Sequence, residues 1–290
     1  MSAPSERTGR QVGLFVGLTL ALSTVFYVAL ARLGIASEGA PWLVLGLMWT
    51  PGLVALALQL ATRRSLRGLG WGWGGGRWWL LGYLAPIVYA GLTYALLWAS
   101  PLADVQEGIF GRLAAKWYAL PLGALQGCLY ALGEELGWRG FLVPRLARVT
   151  GFDGTAIASG LVWAVWHVPL ILFAGYSAGA PALYSVACFT VMVVGISYLF
   201  AWITLRSGSV WPAVLLHASH NQWIQGFFDR ATVDTGPTEY WTGEFGAGLA
   251  LAGIAVALLV RFGPARALRR QDRPESETPP AGASVAATSR

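Results

Sequence analysis

Two adjacent carboxylates stand out in this chain. Glu134 and Glu135 lie in Gly133-Glu134-Glu135-Leu136-Gly137-Trp138-Arg139-Gly140, at the end of an apolar run that begins at Trp117. An ionisable group at membrane depth costs about 3 kcal/mol even on lenient insertion scales, so an acidic pair there marks a candidate site. On a helix, Glu135 and Arg139 are four apart and can pair along one face. Glu134 is rotated by about 100° from Glu135 and need not share that partner. The spacing predicts an asymmetric pair: Glu135 held by Arg139, and Glu134 free to face a cavity and act as a base toward water. The competing reading is a charge cluster at the end of a span.

The three histidines bear on that choice. His167 sits in Trp163-Ala164-Val165-Trp166-His167-Val168-Pro169, one helical turn after Trp163. His217 and Asn221 share a face in His217-Ala218-Ser219-His220-Asn221. A lone histidine in an apolar segment is usually an interhelical hydrogen-bond partner. Two of them, with an amide and a glutamate pair at compatible depth, point to a shared site. At 1.5 Å per residue, Glu134 and His217 lie roughly 10 Å in from the cytoplasmic ends of their spans and His167 roughly 18 Å, which allows one cavity opening toward the cytoplasm. His220 is expected to be only a polar neighbour. Ser159, Ser197 and Ser219 lack a Gly-x-Ser-x-Gly context and read as polar contacts between helices.

Composition sets the elements that must position these groups. Hydrophobic residues make up 56% of the chain and charged residues 12%, against roughly 25% charged in soluble domains. The expected fold is all-α, a polytopic transmembrane helical bundle. Eight apolar stretches read as spans, at about 12–32, 42–62, 78–99, 117–141, 155–175, 183–205, 210–228 and 245–262, each near the roughly 20 residues a bilayer requires. In that arrangement most arginines, among them Arg63, Arg67, Arg77, Arg145, Arg148, Arg206, Arg261 and Arg266, fall on one side. Arg32, Arg112, Lys116 and Arg230 fall on the other. The positive-inside rule then places both termini in the cytoplasm. The net charge of +6 is a topology signal on this reading, and no nucleic-acid partner is expected. Residues 1–11 and 264–290 are polar and are expected to be disordered, flanking a domain over 12–263. Cys128 and Cys188 form no metal or disulfide pattern and read as packing residues.

Glu134-Glu135-x-x-x-Arg139, then aromatic-x-x-x-His from Trp163 to His167, then His217-x-x-x-Asn221, in this order, resemble the motifs of the CAAX-processing and bacteriocin-processing (CPBP, or Abi) intramembrane proteases. The resemblance covers about 117–228, and Trp163 stands where that family usually has Phe. It implies hydrolysis of a peptide bond in a membrane-associated protein or peptide, prenylated CAAX substrates included. It further implies that Glu134, helped by His167, activates the attacking water, that His217 and Asn221 donate hydrogen bonds to the oxyanion, and that Glu135 and Arg139 hold the site together. The metal question stays open. Glu134, His167 and His217 could ligate a divalent ion such as zinc, but no His-Glu-x-x-His element is present, and direct attack by water without a metal is preferred.

Two other readings use the same residues. A proton-coupled transporter would also place Glu134 and the histidines at depth, but the inverted repeats or broken helices expected of one are not apparent. A non-catalytic immunity or scaffold protein would bind its partner without cutting it. The full set of motif residues favours the enzyme.

Overall fold

The computed structural model describes residues 4–271. The described residues form twelve α-helices: α1 (Pro4–Leu33), α2 (Ala40–Arg63), α3 (Gly76–Trp98), α4 (Ile109–Ala115), α5 (Ala119–Glu135), α6 (Val143–Leu146), α7 (Phe152–Phe173), α8 (Ala182–Ser207), α9 (Trp211–Trp223), α10 (Asp229–Ala231), α11 (Ala247–Phe262) and α12 (Arg266–Gln271). Strands among the described residues amount to β1 (Asp104–Val105) and β2 (Thr232–Val233), which pair antiparallel. The all-α expectation therefore holds.

All eight apolar stretches are helical, but they are not alike. Five helices, Glu6–Leu33, Ala40–Arg63, Gly76–Trp98, Phe152–Phe173 and Ala182–Ser207, are long and apolar enough to cross a membrane by length and composition. The other three are shorter, with 17 residues in α5, 13 in α9 and 16 in α11. Helices α5 and α9 run on through wider π-helical turns, Leu136–Leu142 and Ile224–Phe228. The first contains Arg139 and the second begins three residues after Asn221, and π turns recur at functional sites.

The outward faces are apolar. Leu22, Val25, Leu80, Leu92, Leu96, Leu183 and Leu259 are all exposed, as a lipid-facing surface requires. Inside, small residues let helices meet at backbone distance. A Cβ on Gly133 would lie 2.5 Å from Trp49 Cα, and one on Gly137 would lie 2.5 Å from Pro51 Cβ. Helix α2 thus presses against the two glycines that bracket the glutamates, leaving no room for a larger residue on that face.

Two corrections concern the ends. The segment 1–11, expected to be disordered, is helical from Pro4. Gln11 explains part of this, because its Oε1 accepts a hydrogen bond from Arg145 Nε at 3.1 Å, which ties the polar start of α1 to α6. A disordered tail was expected from 264 onward, yet Arg266–Gln271 is helical. There Leu268 packs on the core and Ala265 is buried. The remainder of that expected tail, 272–290, lies outside the described residues.

Cross-links define two ends of the bundle. At one, Arg145 Nη2 donates to Gln59 Oε1 at 2.7 Å, Val210 N to Gly70 O at 2.8 Å, and Arg261 Nη2 pairs with Asp153 Oδ2 at 3.0 Å. This end is rich in arginine. At the other, Ile35 N donates to Ala174 O at 3.1 Å, Tyr184 Oη to Tyr240 O at 2.6 Å, and β1 pairs with β2.

Candidate active site

Helices α5, α7 and α9 bring the motif residues together. Glu134, His167, His217 and Asn221 all line one cavity of about 670 Å³, with Trp163, Tyr176, His220, Gln225 and Glu244. Glu135 and Arg139 lie behind its wall, both fully buried.

The two glutamates have different neighbours, as the spacing predicts. Glu134 Oε2 accepts hydrogen bonds from Trp138 Nε1 at 3.1 Å and Trp163 Nε1 at 2.7 Å. Two indole donors fix one oxygen and so the orientation of the whole carboxylate. Glu135 Oε1 takes Arg139 Nη1 at 2.8 Å and His217 Nδ1 at 2.8 Å. The Arg139 guanidinium also lies against two rings set edge to face, 3.8 Å from the centre of Phe200 and 4.2 Å from that of Trp163. The ring faces offset part of what the desolvated cation loses in water.

Hydrogen bonding assigns the histidine tautomers. His167 Nδ1 lies 3.0 Å from Trp163 O. A carbonyl only accepts, so Nδ1 carries the hydrogen and Nε2 keeps a lone pair. His217 Nδ1 is committed to Glu135, which leaves Nε2 as its working atom. A neutral His217 held this way can accept through Nε2 but not donate. Donation from that atom requires the imidazolium, for which Glu135 is the counter-charge.

Trp163 is the hub. Its ring centre is 5.3 Å from that of His217 and 6.0 Å from that of His167, its N–H holds Glu134, and its face covers Arg139. From the sequence it reads only as the aromatic one turn before His167. The indole N–H, which a Phe lacks, gives it a second role. Trp138 was also not singled out, although its spacing four residues after Glu134 matches that of Arg139 after Glu135.

A second polar cluster lines the same cavity. His220 Nε2 meets Glu244 Oε1 at 2.8 Å, and Tyr89 Oη meets His220 Nδ1. Glu244 Oε2 accepts from Tyr176 Oη at 2.7 Å and Gln225 Nε2 at 2.9 Å. His220 is therefore more than a polar neighbour. Sequence reasoning had no signal for Glu244, which lies in a connection far along the chain. Burial raises the Glu244 carboxyl, but hydrogen bonds and charge from His220, with those from Tyr176 and Gln225, outweigh it and hold the group down at about 2.

The cavity reaches the arginine-poor end, where Ile35, Tyr176, Arg230 and Glu244 line it, and no residue of the arginine-rich connections contributes. An arginine-rich cytoplasmic end and a cytoplasmic mouth, both expected from the sequence, are thus at opposite ends of this fold. On the arginine-rich side of Glu134 lie the buried Arg139 and the close contact of α2 with Gly133 and Gly137. A side cleft of about 570 Å³ between α2, α5 and α9 shares Val44, Met48, Tyr130 and Asn221 with the cavity.

No group of three or more His, Cys, Asp or Glu side chains among the described residues is arranged to hold a metal ion. Both histidine Nδ1 atoms and one Glu134 oxygen are already engaged by protein partners. These contacts leave Glu134 Oε1 and the Nε2 atoms of His167 and His217 facing the cavity.

Among known families, residues 116–223 match the model described as type II CAAX prenyl endopeptidase Rce1-like. The match runs from just before α5 to the end of α9 and contains Glu134, Glu135, Arg139, His167, His217 and Asn221, but not Glu244. It is consistent with the CPBP resemblance carried by the motifs. No curated protein matches the chain.

Proposed function

We propose that this chain, Rce1-like over residues 116–223 and consistent with the CPBP family, is an intramembrane endopeptidase that cleaves a membrane-associated, CAAX-type substrate with a water activated by Glu134. One observation carries the reading: an acid, two imidazoles and an amide from three helices line a single buried cavity.

The steps follow from the contacts. Trp138 and Trp163 hold Glu134 Oε2, leaving Oε1 to accept a proton from water. His167 Nε2, free by tautomer, accepts the other water hydrogen and aims the oxygen lone pair at the scissile carbonyl carbon. Attack gives a tetrahedral oxyanion. Asn221 donates to it through its amide, and His217 donates through Nε2 as the imidazolium paired with Glu135. Glu134 then returns its proton to the leaving nitrogen as the C–N bond breaks, yielding an amine and a carboxylic acid whose remaining proton passes to His167 Nε2 to leave the carboxylate. Donors of this kind are each typically worth roughly 3 kcal/mol of transition-state stabilisation. The side cleft gives a lipid-anchored substrate a path from the bilayer into the cavity. In this reading all eight helical stretches span the membrane and both termini lie in the cytoplasm.

The test is Glu134→Gln in membranes, assayed on a reporter peptide and by comparative membrane proteomics. Loss of at least about a hundredfold in cleavage is expected, with an uncleaved precursor accumulating and wild-type folding retained. Undiminished cleavage would remove Glu134 from the base role, and chelator-sensitive cleavage would argue for a metal.

A further inference from the structure

A hollow separate from the cavity lies between α3 and α8. Arg77, in the first turn of α3, and Arg206, in the last turn of α8, flank this hollow of about 550 Å³, which Trp78 and Trp202 also line. Leu81 and Leu84 line this hollow and also an apolar groove of about 730 Å³ between α3 and α11. From Leu81 to Leu97 the groove follows α3 for about 24 Å, most of the roughly 30 Å of a hydrocarbon core. No acidic residue lines either space among the described residues.

The two arginines differ from others at the same end. Arg261 is paired with Asp153, and Arg145 donates to Gln11, Gln59 and Phe141 O. Among the described residues, Arg77 has only the Trp78 ring, 4.8 Å away, and Arg206 makes no hydrogen bond or ion pair. The Trp202 Nε1 atom is buried and has no hydrogen-bond partner there either. A buried indole N–H normally finds an acceptor.

We infer that this is a binding site for one anionic glycerophospholipid. Its phosphate sits between Arg77 and Arg206, a headgroup or ester oxygen accepts from Trp202, and its acyl chains run down the groove past Leu81 and Leu84. The hydroxyls of Tyr89 and Thr93 in the middle of the groove are engaged by His220 and by Tyr89 O, and the rest of its lining there is apolar, which suits an acyl chain better than a peptide backbone. Basic hollows between helices at the cytoplasmic side recognise anionic headgroups by the same physics.

Native mass spectrometry of the full chain in detergent, with dioleoyl phosphatidylglycerol or dioleoyl phosphatidylcholine added, tests this. The wild type should retain the anionic lipid preferentially. Arg77→Gln/Arg206→Gln should lose that preference by about fivefold for each arginine, with unchanged elution on size exclusion. Arg63→Gln/Arg148→Gln, removing equal charge elsewhere at that end, should keep it. Leu84→Trp, which fills the junction, should lower retention of the anionic lipid while leaving both arginines in place. Equal retention of the two lipids by the wild type would overturn the site. So would a distant pair as damaging as the local one, or an inert Leu84→Trp.

Discussion

Helix α9 presents two carboxylate–imidazole pairs less than a turn apart, and they serve different ends. His217 meets Glu135 and His220 meets Glu244, each at 2.8 Å. Around Glu135 the other partner is a cation, Arg139, on the same oxygen, while Oε2 has no partner among the described residues. Around Glu244 both oxygens are satisfied, the second by the neutral donors Tyr176 and Gln225. The first pair is a charged assembly at the floor of the cavity, one residue from the proposed base. The second pins the connection between α10 and α11 to the rim. The distance alone does not separate them; the remaining partners do.

The largest effect should come from breaking the charged assembly. Arg139→Ala or Glu135→Ala leaves a desolvated charge without its partner and is expected to cost about 3–5 kcal/mol along with activity. Thermal unfolding in detergent measures this, and wild-type melting of both variants would refute a structural role for the pair. Breaking the rim pair is milder. Glu244→Gln should cost about 1–3 kcal/mol at neutral pH, with cleavage kept within about tenfold.

The rim pair also carries a pH signature. Glu244 is held at about 2, below its ordinary 4.5, so its proton binds more readily in the unfolded chain. Its stabilisation is therefore present above pH 4.5 and lost as pH falls from there toward 2. The wild type should lose stability across that window more steeply than Glu244→Gln, and parallel curves would show that Glu244 is not the group titrating. The smallest change sharpens the comparison at the hub. Trp163→Phe keeps the ring over Arg139 but deletes the N–H to Glu134, so cleavage should fall about tenfold and stability by about 1 kcal/mol. Unchanged kinetics would mean that Trp138 alone suffices to orient the base.

Much of the site was legible because its spacings are local. Glu135 to Arg139 and Trp163 to His167 are each one helical turn, and a turn is fixed by backbone geometry. The eight helical stretches were legible from apolar runs alone. What escaped has a common cause. Gln11 with Arg145, Trp163 with Glu134, and His220 with Glu244 join residues 134, 29 and 24 positions apart. Such pairs have no periodic signature. The π-helical turns after Glu135 and Trp223 likewise left no mark in the hydrophobic pattern, though they set how far α5 and α9 run as regular helix.

The sequence by itself determined that the chain is a helical membrane protein, that the glutamate pair and the histidines fall in three of its apolar segments, and that one glutamate of the pair can be held by an arginine. Composition and the 3.6-residue repeat suffice for that, because apolar helices and one-turn neighbours follow from local chemistry. Only the tertiary structure decided which end of the bundle the cavity reaches, which indole groups hold Glu134, and that Glu244 joins the rim. Those facts depend on how close α2 comes to Gly133 and Gly137 and on how the connections fold over the helix ends. Long-range packing sets them, and no single segment contains it.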